Sequence, residues 1–198
     1  MKRALDVAVS LIALLLLWPL LLALALAVRL DSAGPALFRQ ERVGLHGRPF
    51  RIHKFRTMRA GGAAGPLVTA GGDARITRVG RVLRRHKLDE LPQLWDVLRG
   101  AMSLVGPRPE VPHFMALYPD EARRAILSLR PGITDPASIA FSDEEALLAA
   151  APDPERAYVE TVMPLKQRMY LDYVRQRSLG GDLRILLRTA AVLLGRGA

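Results

Sequence analysis

The chain has 198 residues, of which 29 are Lys or Arg and 19 Asp or Glu, giving a formal net charge of +10, and it contains no cysteine. This length allows one ordinary globular domain plus a membrane segment and little more. Disulfide scaffolds and thiolate chemistry are excluded, and the basic excess points to anionic partners: nucleic acid, anionic lipid, or nucleotide and phosphate substrates.

Val7 to Val28 is a run of 22 residues without a charge, bounded by Lys2, Arg3 and Asp6 on one side and by Arg29 and Asp31 on the other. As a helix it would reach about 33 Å, enough for a hydrocarbon core of about 30 Å. A cleavable signal peptide needs a shorter apolar run and a small-residue cleavage site, which Arg29-Leu30-Asp31-Ser32 does not offer. The run reads as a membrane anchor, with a buried core helix as the alternative. Pro19 removes one helical hydrogen bond and predicts a bend, leaving arms of about 18 and 14 Å. Lys2 and Arg3 favour a cytoplasmic N-terminus, while Arg29, Arg39, Arg42 and Arg48 favour a cytoplasmic C-terminal side. One straight span cannot satisfy both, whereas a hairpin bent at Pro19 can. An ordinary kinked span stays open as the other reading.

Gly34-Pro35 marks a turn after this segment. Ala36 to Gln40 and Phe50 to Arg56 read as short strands around a turn at Gly44 to Gly47. Residues 60–73, rich in Gly and Ala, read as a loop. Arg75 to Lys87 has apolar Ile76, Val79, Val82 and Leu83 at helical spacing, with Arg84 toward the edge of that stripe and so suited to a site-facing role. A second helix is expected from Pro92 to about Leu98, ended by Gly100. Further helices are expected at Tyr118 to Leu129, at Glu155 to Arg177 with an interruption at Pro164, and at Leu183 to Leu194. The last is amphipathic and basic, fit for a membrane interface or for packing. There is no nucleotide-binding GxGxxG or P-loop pattern.

Between the two central helices stands Arg84-Arg85-His86-Lys87-Leu88-Asp89-Glu90, and Gly106-Pro107-Arg108-Pro109 follows within twenty residues. Carboxylates near a helix start are stabilised by free backbone N–H groups, so Asp89 as a simple N-cap is the plain reading. The chemical reading rests on the setting. Arg84 and Arg85 can neutralise a diphosphate, and Arg108, held between Pro107 and Pro109, offers a planar fork to phosphate oxygens. Without cysteine or an evident Ser–His pair, an Asp is the available nucleophile, and carboxylates do attack phosphoryl centres beside a divalent cation such as Mg²⁺. Neighbouring residues on a regular helix point about 100° apart, so a shared duty for Asp89 and Glu90 demands an irregular turn. The four histidines, at 46, 53, 86 and 113, show no metal-ligand spacing and read as surface or structural residues.

The chain resembles the small monotopic phosphoglycosyl transferases, bacterial sugar transferases that begin assembly of lipid-linked glycans. The likeness runs through nearly the whole chain, in Lys2 to Asp6, Phe38 to Gly44, Lys54 to Met58, Arg75 to Gly80, Leu88 to Leu94, Met102 to Pro109 and Arg130 to Thr134. It implies a fold mainly of α-helix with a small β element (α+β), a re-entrant membrane helix over residues 1–32 bent at Pro19, and a compact cytoplasmic catalytic domain over 33–198 with interfacial amphipathic helices. It implies an inner-membrane enzyme using Mg²⁺, in which Asp89 attacks the β-phosphate of a UDP-sugar, releases UMP and holds a phosphosugar until polyprenol phosphate takes it. It assigns Asp89 and Glu90 to catalysis and Asp89 to the metal. Arg84, Pro107, Arg108 and Pro109 are assigned to phosphate or nucleotide, and Glu90 to metal-site geometry or proton handling. Two departures stand out. Trp18 precedes the bend proline where many relatives have Ser, and Asp135-Pro136-Ala137-Ser138 with an acidic stretch to Ala151 follows Thr134, in the region that would set sugar choice. The rival is a non-catalytic, membrane-anchored basic module for anionic lipid or nucleic acid. Nucleic acid is disfavoured because the basic stretches lack interleaved stacking aromatics. A homodimer is compatible with the leucines but not specified.

Overall fold

The computed structural model describes residues 1–59 and 73–195, so the loop expected at 60–73 lies, except for Asp73, outside the described residues. A long helix α1 (Lys2–Asp31) leads into strands β1 (Leu37–Val43) and β2 (Pro49–Phe55). Two helices, α2 (Arg78–Arg85) and α3 (Gln93–Leu98), are followed by strand β3 (Ser103–Val105), helices α4 (Pro112–Ala116) and α5 (Asp120–Leu127), and strand β4 (Gly132–Thr134). Helices α6 (Pro136–Ala140), α7 (Glu144–Ala149), α8 (Pro154–Ala157), α9 (Met163–Gln176) and α10 (Leu179–Leu193) complete the chain. The mainly helical class with a small β element is as expected.

Strands β1 and β2 pair antiparallel from Leu37 opposite Phe55 to Val43 opposite Pro49, around a 3₁₀ turn at Leu45–Gly47. The second pair was not anticipated. Strands β3 and β4 run parallel, with Ser103 opposite Gly132 and Val105 opposite Thr134. Three-residue strands carry no readable alternation, so only their glycines mark them. A Cβ on Gly132 would stand 2.1 Å from the Gly106 nitrogen, so the two backbones meet where no side chain fits.

The long helix expected at 155–177 is divided into α8, a π-helical turn at Tyr158–Val162, and α9. Pro164 explains it: a helix-interior proline gives no N–H and crowds the carbonyl four residues back, which a wider turn relieves. The expected helix at 118–129 is shortened to α5, entered through Pro119. Likewise α2 begins at Arg78, because Thr77 caps it by accepting the Gly80 N–H at 3.0 Å.

Three buried clusters hold the fold. Phe114, Tyr118, Ile126, Tyr158, Val162 and Tyr170 join α4, α5 and α9. Ile52, Val97, Met102 and Val105 form a second cluster, and Val28, Phe55 and Leu83 a third. Each buried side chain of this size stabilises the fold by about 1.5–3 kcal/mol. Helix α1 lies against the last two clusters along most of its length: Ala13, Leu14 and Leu17 pack on the second, Leu21, Leu24 and Ala25 on the third.

That helix is a single element of 30 residues with Pro19 inside it; no turn separates two arms. Both ends are fastened to the rest of the chain. Near the start, the buried Asp6 accepts hydrogen bonds from Ser103 Oγ at 2.8 Å and the Leu104 N–H at 3.3 Å. Near the end, Arg56 donates to the carbonyls of Val28, Ser32 and Ala33, covering groups a helix C-terminus leaves free, and Asp31 accepts the Val79 N–H at 2.9 Å. The opposite face leaves Ile12, Leu15, Leu16, Trp18, Leu22 and Leu26 exposed. A core helix of a soluble protein would bury such residues, so that alternative fails.

Candidate active site

A left-handed Lys87 (φ 54°) turns the chain out of α2, and Leu88–Glu90 then makes one 3₁₀ turn before α3. A non-glycine residue takes that conformation at a cost of about 1–2 kcal/mol. This is the irregular turn that a shared duty for Asp89 and Glu90 demands. Asp89 is not an N-cap: the residue before α3 is Pro92, and Asp89 sits inside the 3₁₀ turn, 8% exposed.

A second contribution comes from β3 and β4. Their close pairing brings Pro107-Arg108-Pro109 beside Thr134-Asp135, and the β1–β2 hairpin braces the turn. Arg42 Nη1 donates to the Pro109 carbonyl at 3.0 Å, and the Val43 N–H to that of Glu110 at 2.9 Å. Arg108 thereby reaches Glu90, with Nη1 at 3.1 Å from Oε2 and Nη2 bonded to Oε1. From β2, Lys54 Nζ approaches the same Oε1 at 2.9 Å.

Glu90 is thus held by two cations. Burial raises its pKa, but Arg108 and Lys54 overcome this and hold the carboxyl well below the usual range. A carboxylate so held is ionised, and its two oxygens fix the positions of Arg108 and Lys54. Asp89 differs. Burial pushes its carboxyl above the usual range, with Glu90 adding and Lys54, Arg84 and Arg108 opposing. Lys54 is itself lowered by burial, which Glu90 partly offsets.

Asp89, Glu90, Lys54, Arg84, Arg108 and Pro109 line one cleft of about 1470 Å³. That exceeds the roughly 300–1,000 Å³ of a drug-sized pocket and suits a larger ligand. The walls come from β1, β2, the 3₁₀ turn, the 107–111 turn and α6–α7, with Arg29 and Thr189 among its outer lining residues. Pro107 backs the turn from behind, and Gly132 N–H donates to its carbonyl at 2.9 Å. The expected residues therefore come together, with three qualifications, the first being that Pro107 does not line the cleft. Arg85 is exposed and does not line the cleft, and Arg84 is already engaged, its Nε 3.0 Å and Nη2 2.6 Å from Glu145 Oε1.

Sequence reasoning missed Lys54 as a partner of Glu90 and Glu145 as a partner of Arg84. The alternation in β2 placed Lys54 with Phe50 and Ile52, which is a signal that it faces inward; Glu145 gave none. Asp135 is fully buried and caps α6, accepting the Ala137 and Ser138 N–H groups at 2.7 and 3.0 Å, which explains the departure at that position structurally. His53 is likewise structural, its Nδ1 2.6 Å from Asp96 Oδ1.

Among the described residues, no three His, Asp or Glu side chains gather as a metal site. The donor set still fits Mg²⁺, which commonly takes one or two carboxylates plus substrate phosphates. Asp89 makes no side-chain hydrogen bond among the described residues and could supply one oxygen ligand, while the oxygens of Glu90 are spent on Lys54 and Arg108.

A family described as bacterial sugar transferase matches residues 1–196. The chain belongs to that family. It is 45% identical over 201 residues to a UDP-glucose:undecaprenyl-phosphate glucose-1-phosphate transferase of Caulobacter vibrioides, covering 98% of this chain and 69% of that protein. It is 38% identical to a UDP-N-acetylgalactosamine-undecaprenyl-phosphate N-acetylgalactosaminephosphotransferase of Aeromonas hydrophila, covering all of this chain and 44% of that protein. An exopolysaccharide production protein of Rhizobium leguminosarum is 38% identical, with 100% and 96% covered. The relatives thus differ in sugar, and the chain spans less than half of the Aeromonas protein's length.

Proposed function

We propose that this sugar transferase moves a sugar 1-phosphate from a UDP-sugar to a polyprenol phosphate such as undecaprenyl phosphate, with Asp89 as nucleophile. The observation that carries the reading is the division of labour in the cleft: both oxygens of Glu90 are engaged by Lys54 and Arg108, while the adjacent Asp89 lines the cavity with no side-chain hydrogen bond among the described residues.

An Asp89 oxygen attacks the β-phosphorus, and the bond from that phosphorus to the bridging oxygen breaks. UMP leaves with the bridging oxygen, and an aspartyl phosphosugar remains. A phosphate oxygen of the polyprenol phosphate then attacks the same phosphorus, frees the Asp89 carboxylate and yields polyprenyl diphosphate sugar. Arg108 keeps N–H donors beyond the two given to Glu90 and can hold a phosphate oxygen, as can Arg84 once released. Lys54 adds positive charge where negative charge accumulates. Mg²⁺ bound through Asp89 and substrate phosphates would neutralise oxygen charge during both displacements. Two sequential displacements let one cleft serve two large substrates in turn.

In this reading residues 1–32 are the membrane segment and 33–198 the catalytic domain. The exposed apolar face of α1 enters the bilayer while both its ends stay tied to one domain, which supports a re-entrant anchor at the cytoplasmic face of the inner membrane. The exposed Leu183, Leu187 and Leu194 suit α10 to the membrane interface.

The test is UMP release by purified protein from a panel of UDP-sugars, with Mg²⁺ and polyprenol phosphate. Release that vanishes in Asp89→Asn supports the reading and names the sugar. A silent wild type, or an equally active variant, would return the chain to the rival of a basic lipid-binding module.

A further inference from the structure

The guanidinium of Arg84 lies on the cleft beside Asp89, near enough for its charge to act on that carboxyl. Such a group in such a place is an oxyanion receptor. Its partner is a residue 61 positions away: Glu145 Oε1 takes both Nε and Nη2, and Oε2 lies 3.3 Å from Nε. Thr57 Oγ1, at 3.3 Å from Nη1, is the other side-chain partner among the described residues.

Glu145 stands in the first turn of α7, next to Glu144, which pairs with the buried Lys166 of α9. The segment from Ser138 to Leu148 forms one wall of the cleft through Ile139, Phe141, Ser142 and these two glutamates. The two attachments differ in kind. Lys166 is 6% exposed in its side chain and anchors Glu144 in the interior, whereas the side chain of Glu145 is 38% exposed and its contact is open to competition. A partly exposed carboxylate contributes little net stability, so an arriving dianion can displace it at modest cost.

We propose that Glu145 is an internal stand-in for the substrate's phosphate. It keeps Arg84 oriented until the diphosphate of a nucleotide substrate displaces it, freeing the α6–α7 wall to adjust around the sugar. This rests on the UDP-sugar reading above. A carboxylate presents two oxygens to a guanidinium much as a phosphate does, so the exchange preserves the geometry of Arg84. It also ties the acidic stretch at 143–145 to the site: its glutamates are part of the cleft's charge balance.

The experiment compares the full chain in detergent with its Glu145→Gln variant, measuring UDP affinity and UDP-sugar kinetics. Removal of the competing charge should tighten UDP binding about 3- to 10-fold and lower KM similarly, with kcat within about twofold. A purely structural role for Glu145 predicts the opposite, a raised KM with a lowered kcat, and that outcome overturns the proposal, as does an unchanged affinity. Movement of the wall has its own readout. The chain lacks cysteine, so an environment-sensitive dye on Leu147→Cys, an exposed position of α7, reports that segment alone. UDP should shift its emission when Glu145 is present, and in the Glu145→Gln background the emission should be shifted already. A signal indifferent to UDP overturns the displacement. If wild type turns over UDP-sugar but Glu145→Gln binds no tighter, the displacement fails and the functional reading stands. If wild type neither binds UDP nor releases UMP, the functional reading itself fails, and this inference with it.

Discussion

Glu90 and Arg108, eighteen residues apart, meet through two guanidinium nitrogens and both carboxylate oxygens, and Lys54 closes the same carboxylate from β2. This joins the 3₁₀ turn, the 107–111 turn and the hairpin at one charged centre. Asp89, one residue earlier, is left out of it.

Asp89→Asn separates stability from activity. Burial raises the Asp89 pKa above its unfolded value, so its stability contribution is greatest below the unfolded pKa and declines as pH rises through the folded one. At neutral pH the ionised side chain costs stability, and a neutral amide removes that cost. The variant should unfold at higher temperature by calorimetry while losing activity by about 10³-fold or more, the scale expected for a missing nucleophile. A lower unfolding temperature contradicts the burial argument.

Glu90→Gln should do the reverse. The Glu90 pKa is depressed, so its stabilisation is present above the unfolded value and lost only as pH falls through the folded one. Breaking a fully buried pair by deleting one partner typically costs about 3–5 kcal/mol, and this part-buried pair should cost less. Denaturant unfolding at pH 7 measures the loss, and it should shrink in acid as wild-type Glu90 itself becomes protonated.

Lys54→Met tests the electrostatic setting of Asp89. In the proposed reaction Asp89 attacks as the carboxylate, so the rate should fall on the acid side below its raised pKa. Lys54 is the leading influence that lowers that pKa. Its removal should move the acid limb of the kcat/KM profile to higher pH and cut the rate about 10²- to 10³-fold. An acid limb left in place would assign it to another group.

The anchor makes a topological prediction. Single cysteines at Ala4 and Leu30, both exposed, should react alike with a membrane-impermeant thiol reagent: unlabelled from outside intact cells, labelled in inverted vesicles. Labelling of one end from each side would establish a full span.

Much of this was legible in the sequence because its causes are local. The apolar run, the β1–β2 hairpin and the helix stop at Gly100 follow from composition and turn chemistry. For the candidate site, the proposed members were legible and their connections were not. Asp89, Glu90, Arg84 and Arg108 could be chosen from residue type and spacing. That Lys54 and Arg108 share one carboxylate, or that Glu145 comes to Arg84, depends on how β2, β3 and α7 pack, and no local pattern encodes it. The β3–β4 pair was hidden for the same reason: its stability lies in two glycine backbones meeting across 26 residues of chain.

The fastening of α1 has a consequence for distance. Asp6 is bonded to β3, which leads into the Arg108 turn; Asp31 is bonded to α2, which leads into Asp89. In the proposed reading the anchor is therefore fixed to the catalytic body at both ends. The height of Asp89 above the lipid would then be a fixed dimension of the protein, like a ruler's length. A polyprenol phosphate acceptor would have to rise or sink to meet it, and bilayers of different thickness should act on the proposed reaction as different acceptor concentrations do.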